Sequence, residues 1–237
     1  MIILAFDSTA KAASCAVTED EKLLALYNVD NGLTQSELLL PMAENILKSL
    51  KLTFDDIGLL CCSVGPGSFT GVRIGVALVK GIAFGKNIPC VSVSTLDALA
   101  ENLRGLDGII VPCMDARRSQ VYTAIYRAED GELEKLTPDK AIAISDLAEE
   151  LKQYSGEPIY LVGDGYDTAK RGLDACGVTV KTTPSLIITE NAYSVARVAK
   201  RKYDAGETVT DTEISPTYLR MPQAERERLE RLAKEQK

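Results

Sequence analysis

The chain has 237 residues, enough for one large domain or two small ones with a proper core. Apolar residues make up 46%, charged residues 26%, and the formal charge is −7. This balance opposes a stand-alone nucleic-acid binder, which needs clustered Lys and Arg, and no apolar run reaches the roughly 18 residues of a membrane span.

The absence of histidine removes Ser-His-Asp and Cys-His nucleophile systems and every His-ligated zinc site. Six cysteines (Cys15, Cys61, Cys62, Cys90, Cys113 and Cys176) contain no C-x-x-C pair and mostly sit among apolar residues. They read as reduced small hydrophobes. "MIILAFDST" reads as a first strand and not as a signal peptide, so the expected location is the cytoplasm.

Three strands come first, at Ile2–Asp7, Ala13–Thr18 and Lys22–Val29, with the polar turn "TEDEK" between the last two. "TQSE" follows: Thr34 caps a helix and Glu37 completes a capping box. That helix runs to about Lys51, with Pro41 expected to kink it. "IGLLCCSV" (57–64) is a continuous apolar run suited to a strand buried on both faces. Next come a glycine-rich loop, a helix over 70–85, the strand "PCVSVS" and a helix over about 95–103. Strands and helices in this order fit a mixed sheet with helices packed on it.

The pattern then restarts. "IILAFDSTAKAASCAVTEDEKLLAL" can be laid beside "IIVPCMDARRSQVYTAIYRAEDGELEKL". Each has a strand ending in Asp (Asp7, Asp115), a short polar turn, a second strand, an acidic turn and a third strand. The echo predicts two lobes on one plan. A helix near 144–154, the strand "PIYLVG", a helix after Asp167, a short strand near 178–181 and a helix over 191–204 complete the second half. The expected division is an N-terminal lobe (1–103), a C-terminal lobe (104–222) and a charged helical tail (223–237).

The loop Gly65–Gly71 fails the templates for chemistry. A P-loop needs G-x-x-x-x-G-K-[ST], but Gly71 arrives one residue early and Val72–Arg73 follow it. A nucleophile elbow needs G-x-S-x-G, and Ser68 lies between Gly67 and Phe69. What remains is a loop ahead of a helix N-terminus, which could bind an anion. The plainer reading, adopted here, is a tight strand-to-helix turn. "DSTAKAA" after the first strand could hold a metal-bound phosphate, but it lacks the glycines that let a backbone approach one. Asp7, Ser8 and Thr9, with Gly65, Gly67 and Ser68, form the candidate nucleotide cleft. Asp115 reads as a turn cap.

The helix after this loop gives the strongest signal. Val72, Ile74, Val76, Leu78, Val79, Ile82 and Phe84 spread around its circumference. Gly71 and Gly75, and Ala77 and Gly81, lie four apart, where small residues let another backbone come close. Arg73 and Lys80 share a face. A helix apolar all round is expected to be buried all round. With Leu38, Leu39, Met42 and Ile46 of the preceding helix, it could expose a two-helix apolar face; alternatively, the two helices cover each other.

"FDSTAKAASCAV", "QSELLLPMAENIL", "VGPGSFTGVRIGVALVKGIA" and "SPTYLR" resemble the TsaB (YeaZ) family, most densely over residues 1–100. The resemblance implies an actin/Hsp70-like ATPase (ASKHA) fold: α/β, with two RNase H-like lobes, mixed sheets and a degenerate nucleotide cleft. It implies a non-catalytic subunit of the bacterial machinery that makes threonylcarbamoyladenosine on tRNA. TsaD, the transferase of that machinery, carries histidine metal ligands on the helix corresponding to the one after Thr34. Here that helix reads "TQSELLLPM", with Gln35 where TsaB relatives often have histidine. The expected interface with TsaD is Leu38, Leu39, Met42, Ile46, Val72, Arg73, Val76, Val79 and Lys80. TsaE, an ATPase, is the expected third partner, and a homodimer is expected to be open to the chain alone. tRNA is reached only through the complex, no catalytic or metal-ligating residue is expected, and ATP or ADP belongs to the assembly. The rival is a nucleotide-dependent phosphotransferase or a peptidase of the same superfamily, opposed by the missing glycines and histidines.

Overall fold

The computed structural model describes residues 1–220 and contains two mixed sheets. The first comprises β1 (Ile2–Asp7), β2 (Ala13–Glu19), β3 (Lys22–Val29), β4 (Leu59–Ser63) and β5 (Cys90–Val93), in the order β3-β2-β1-β4-β5. The β1–β2 and β2–β3 pairs are antiparallel, whereas β4 runs parallel to both β1 and β5. Every residue of β4 is buried, because helices cover both faces of the parallel strands.

Helices α1 (Gln35–Leu50) and α2 (Phe69–Ala83) pack on one face of this sheet. α1 begins at the expected capping box, where the Thr34 N–H donates to Glu37 Oε2 at 3.0 Å, and continues through Pro41. α3 (Thr95–Glu101) lies between the sheets: Leu96 and Leu99 share a core with Ile110, Met114 and Tyr126.

The second sheet is built on β6 (Gly108–Asp115), with β7 (Gln120–Thr123), β8 (Tyr126–Glu129), β9 (Glu132–Lys135), β10 (Lys140–Ala143) and β11 (Ile159–Val162). β7 and β8 pair with β6 in one unbroken register, from Asp115↔Val121 to Gly108↔Ala128. They are one strand interrupted at Ala124 and Ile125. β9 and β10 flank them as a third strand, interrupted where the Leu136 N–H donates to Ile125 O. β11 pairs parallel on the other edge of β6, and a bridge from Tyr160 to Lys181 is all that remains of the strand expected over 178–181. With its interruptions joined, the second sheet repeats the strand order of the first. α4 (Ile144–Leu151) and α5 (Tyr166–Ala175) share one core with it.

α6 (Ala192–Asp204) corrects the division at 103/104. It lies within the expected C-terminal lobe but packs on the first sheet, where Ala192, Val195, Ala196 and Ala199 cover Ile3, Ala5, Leu59 and Val91. The chain stays there afterwards: Val209 bridges to Cys90, and the Thr217 N–H donates to Val64 O. The reason is burial. The first-sheet face opposite α1 and α2 is apolar, and α3 reaches its core only through Ala98, so α6 covers the rest. The charged tail expected over 223–237 lies outside the described residues.

A helical face and an interlobe cleft as candidate sites

Most of the expected interface points inward. Leu39, Met42 and Ile46 of α1 and Val72, Val76 and Val79 of α2 are buried in one core with Leu4, Phe6 and Leu60. They hold the two helices to the sheet and are not available to a partner. Leu38 is half-buried, and half-buried Lys80 donates from Nζ to Thr212 O at 3.0 Å. Arg73 is exposed. The surface left open on α2 lies further round the helix. Thr70, Arg73, Ala77 and Gly81 are exposed, Ile74, Leu78 and Ile82 are half-buried, and Phe84 is 80% exposed just past the end. Leu40, Pro41 and Glu44 of α1 are exposed too. α2 is therefore apolar nearly all round without being buried all round.

The two small-residue pairs divide the same way. A Cβ on Gly71 would lie 1.9 Å from Ser8 O, and one on Gly75 2.6 Å from Ser8 Oγ. These glycines admit the chain's own turn after β1. A Cβ on Gly81 would meet nothing within 4 Å.

The expected nucleotide-cleft residues do converge, and their contacts are internal. Asp7 is buried: Oδ1 accepts from Thr9 N (2.9 Å) and Thr9 Oγ1 (2.7 Å), and Oδ2 from Ser63 Oγ (2.5 Å). Burial raises its pKa, against the lowering effect of those donors. Ser8 turns away under α2 and donates to Gly71 O. Ser68 N–H donates to Thr9 O at 2.7 Å, while Ser68 Oγ caps the Gly71 N–H. A Cβ on Gly67 would lie 2.5 Å from Thr9 O, and one on Gly65 equally close to Thr217 O. The groups that would cradle a triphosphate bond each other, so these residues do not fit one.

Beside this turn lies a cleft of about 710 Å³ between the lobes, reaching Thr9, Gly67 and Ser68 on one side and Tyr122, Asp164 and Glu190 on the other. Asp115, at the end of β6, lies on its wall and accepts from Arg117 N–H at 2.8 Å. Asp164 accepts from Asp115 N–H, and Glu190 from Asp164 N–H. Burial raises the Asp164 pKa, assisted by the Asp115 charge and opposed by the Asp115 N–H, Arg117 and Lys11. Glu190 is pushed up to about 8 by burial, then by the charges of Asp164 and Asp7. Among the described residues, no three His, Cys, Asp or Glu side chains are arranged to hold a metal ion.

Glu190 makes stability depend on pH. Its carboxyl titrates near 4.5 when unfolded and near 8 when folded. Between those values the unfolded state releases a proton that the folded state keeps, so stability falls as pH rises from 4.5 to 8. Glu190→Gln removes this penalty and keeps an acceptor for the Asp164 N–H. The expected gain at pH 7.5 is about 2–4 kcal/mol, read from denaturant melts across the pH range. A variant no more stable at pH 7.5 than the parent contradicts it.

Asp164, Glu190, Lys11, Arg117 and Tyr122 were missed as cleft residues. Asp164 had a signal, since it follows a strand as Asp7 and Asp115 do. Glu190 had none: it enters the cleft because the chain turns back before α6. Five of the six thiols are buried, as expected, and only Cys176 is exposed.

Comparison with known proteins places the chain. The model of the family "TsaD: tRNA N6-adenosine threonylcarbamoyltransferase" matches residues 34–227. The tRNA threonylcarbamoyladenosine biosynthesis protein TsaB of Bacillus subtilis (strain 168) is 36% identical over 71% of this chain and 72% of its own. TsaB of Escherichia coli (strain K12) is 30% identical over 93% of this chain and 95% of its own. Among solved structures, YeaZ from Pseudomonas aeruginosa superposes with a TM-score of 0.76 at 23% identity, covering 92% of this chain and 99% of that one. Component A of the (R)-2-hydroxyglutaryl-CoA dehydratase from Acidaminococcus fermentans has a TM-score of 0.50 at 12% identity, over 86% of this chain and 99% of that one. The fold is the actin/Hsp70-like ATPase (ASKHA) fold, α/β with mixed sheets, as the sequence motifs implied. With two repeats of one strand order and sequence relatives along nearly its whole length, the chain belongs to the TsaB (YeaZ) family, within the wider family that the TsaD model describes.

Proposed function

We propose that this protein is a non-catalytic subunit of the machinery that makes threonylcarbamoyladenosine on tRNA. Its task is to dock and support the transferase TsaD through the outer face of α1 and α2. The observation that carries this reading is the open side of α2, where Ala77 and Gly81 leave the backbone bare beside half-buried Ile74, Leu78 and Ile82. A partner helix can approach there and cover apolar area that contributes roughly 25 cal/mol per Å².

The subunit works in the cytoplasm, where the TsaD–TsaB pair admits TsaE. Without TsaD the same face can pair two copies. The charge of −7 supports contact with tRNA through the complex only. Nucleotide belongs to the assembly, in line with the self-bonded turn at Ser8–Thr9 and Ser68. The rival phosphotransferase or peptidase finds no support in this site: Asp7 spends both oxygens on Thr9 and Ser63.

The test is tRNA modification by a complex reconstituted with TsaD, TsaE and the enzyme that supplies the threonylcarbamoyl donor. Asp7→Asn keeps the shape of the side chain and removes its charge. Modification is expected to stay within about twofold of the parent, a change worth less than about 0.5 kcal/mol. Complete loss with normal assembly would show a direct chemical role for the cleft. Omitting the subunit is expected to stop modification.

A further inference from the structure

After α6 the chain is fastened to the first lobe point by point. Ile214 is buried, the Thr217 N–H bonds Val64 O at 2.8 Å, and the Thr217 carbonyl occupies the space beside Gly65. This delivers Tyr218 to the first turn of α2. Its ring stacks on Phe69, with centroids 4.7 Å apart and planes 29° from parallel. One helical turn further on, the Arg73 guanidinium carbon lies 3.8 Å from the Phe69 centroid, and Arg73 Nε donates to Tyr218 Oη at 2.8 Å.

An exposed arginine ordinarily samples many rotamers, and binding through it costs that freedom. Here the side chain is exposed yet held twice, by a ring face and by a hydroxyl. Its Nε is engaged. The terminal nitrogens make no ion pair among the described residues, which leaves one edge of a planar fork free. That edge belongs to the same exposed face as Ala77 and Gly81. A fixed guanidinium fork matches a carboxylate, taken by two parallel N–H···O bonds.

We propose that Phe69 and Tyr218 are positioning residues that pre-organise Arg73 to bind a carboxylate on the docking partner. The segment Ile214–Tyr218 is thereby part of the partner site, although it lies far from α1 and α2 in sequence. The proposal rests on the reading that this face docks TsaD.

Equilibrium binding of the full chain to TsaD, at low and high salt, tests both ideas. Ala77→Arg tests the docking face itself. Arg73→Gln is expected to weaken binding about 30-fold and to flatten its salt dependence. Tyr218→Phe keeps the stack and loses the hydroxyl, so it is expected to weaken binding about two- to tenfold with an unchanged melting temperature. In the Arg73→Gln background, Tyr218→Phe is expected to add nothing. If Ala77→Arg abolishes binding while Arg73→Gln binds like the parent, the anchor is wrong and the docking face stands. If Tyr218→Phe costs as much in the Arg73→Gln background as alone, positioning is overturned. If Ala77→Arg binds TsaD normally, the docking reading fails and takes this proposal with it.

Discussion

Ala77→Arg is expected to abolish co-purification with TsaD and leave the subunit folded, whereas Val76→Glu, one residue earlier, is expected to lose the fold. The two positions are consecutive on α2 and therefore about 100° apart around it. Val76 is 3% exposed, in the core shared with Leu4 and Leu60. A carboxylate there has no partner, and an unpaired buried charge of this kind costs about 3–5 kcal/mol or more, a large part of a domain's net stability. Ala77 is exposed. Arginine keeps its helical propensity and puts a long charged side chain where a partner helix must come close. A loss of affinity on the order of 100-fold is expected. Circular dichroism and a binding titration separate the outcomes. A folded Ala77→Arg subunit with parental affinity removes α2 from the interface, and a stable Val76→Glu subunit contradicts the placement of the core.

Gly71→Ala is expected to cost on the order of 3–5 kcal/mol, although helix propensity alone predicts a gain of about 1 kcal/mol. Gly71 lies in the first turn of α2, and the new Cβ would sit 1.9 Å from the backbone oxygen of Ser8. Backbone has to move, because Ser8 is locked by its own bond to Gly71 O and Thr9 by its bonds to Asp7 and Ser68. Gly81→Ala is the control. Its Cβ meets nothing, so the propensity gain of about 0.5–1 kcal/mol is expected to appear intact. Denaturant midpoints for the two variants should shift in opposite directions. Equal shifts would mean that the approach of the Ser8 turn does not decide the fold of this corner.

The strands and helices of the first lobe were legible because their signals are local. Thr34 and Glu37 mark the start of α1, and "LLCC" is apolar without interruption because both faces of its strand are covered. The duplicated plan was legible as well, through two strands that end in Asp ahead of hairpins. The placement of α6 was not. Its apolar residues say that one side is covered, and nothing in them says by which sheet. The interruptions at Ala124–Ile125 and between β9 and β10 were also hidden, since the segment "VYTAIYRA" keeps its strand-like character throughout.

The candidate sites divide along the same line. The motif Gly65–Gly75 identified the family, and its failure against the P-loop and elbow templates agrees with a turn whose polar groups bond each other. Periodicity could not say which apolar residues of α2 face inward, since nearly every position is apolar. The expected interface named Val72, Val76 and Val79, which the sheet buries; the small pair Ala77 and Gly81, marked by its spacing alone, remains outside.

By itself the sequence determined most of the elements, the repeated architecture, the family and the absence of histidine chemistry. These depend on residue type and short spacing, which one chain carries in full. Only the tertiary structure decided that Gly71 and Gly75 of α2 serve Ser8, that Glu190 and Asp164 share a cleft, and that Tyr218 grips Arg73 from 145 residues away. Such contacts arise from how two sheets and a returning chain fill space together, and no local pattern encodes which distant atom arrives at a given surface.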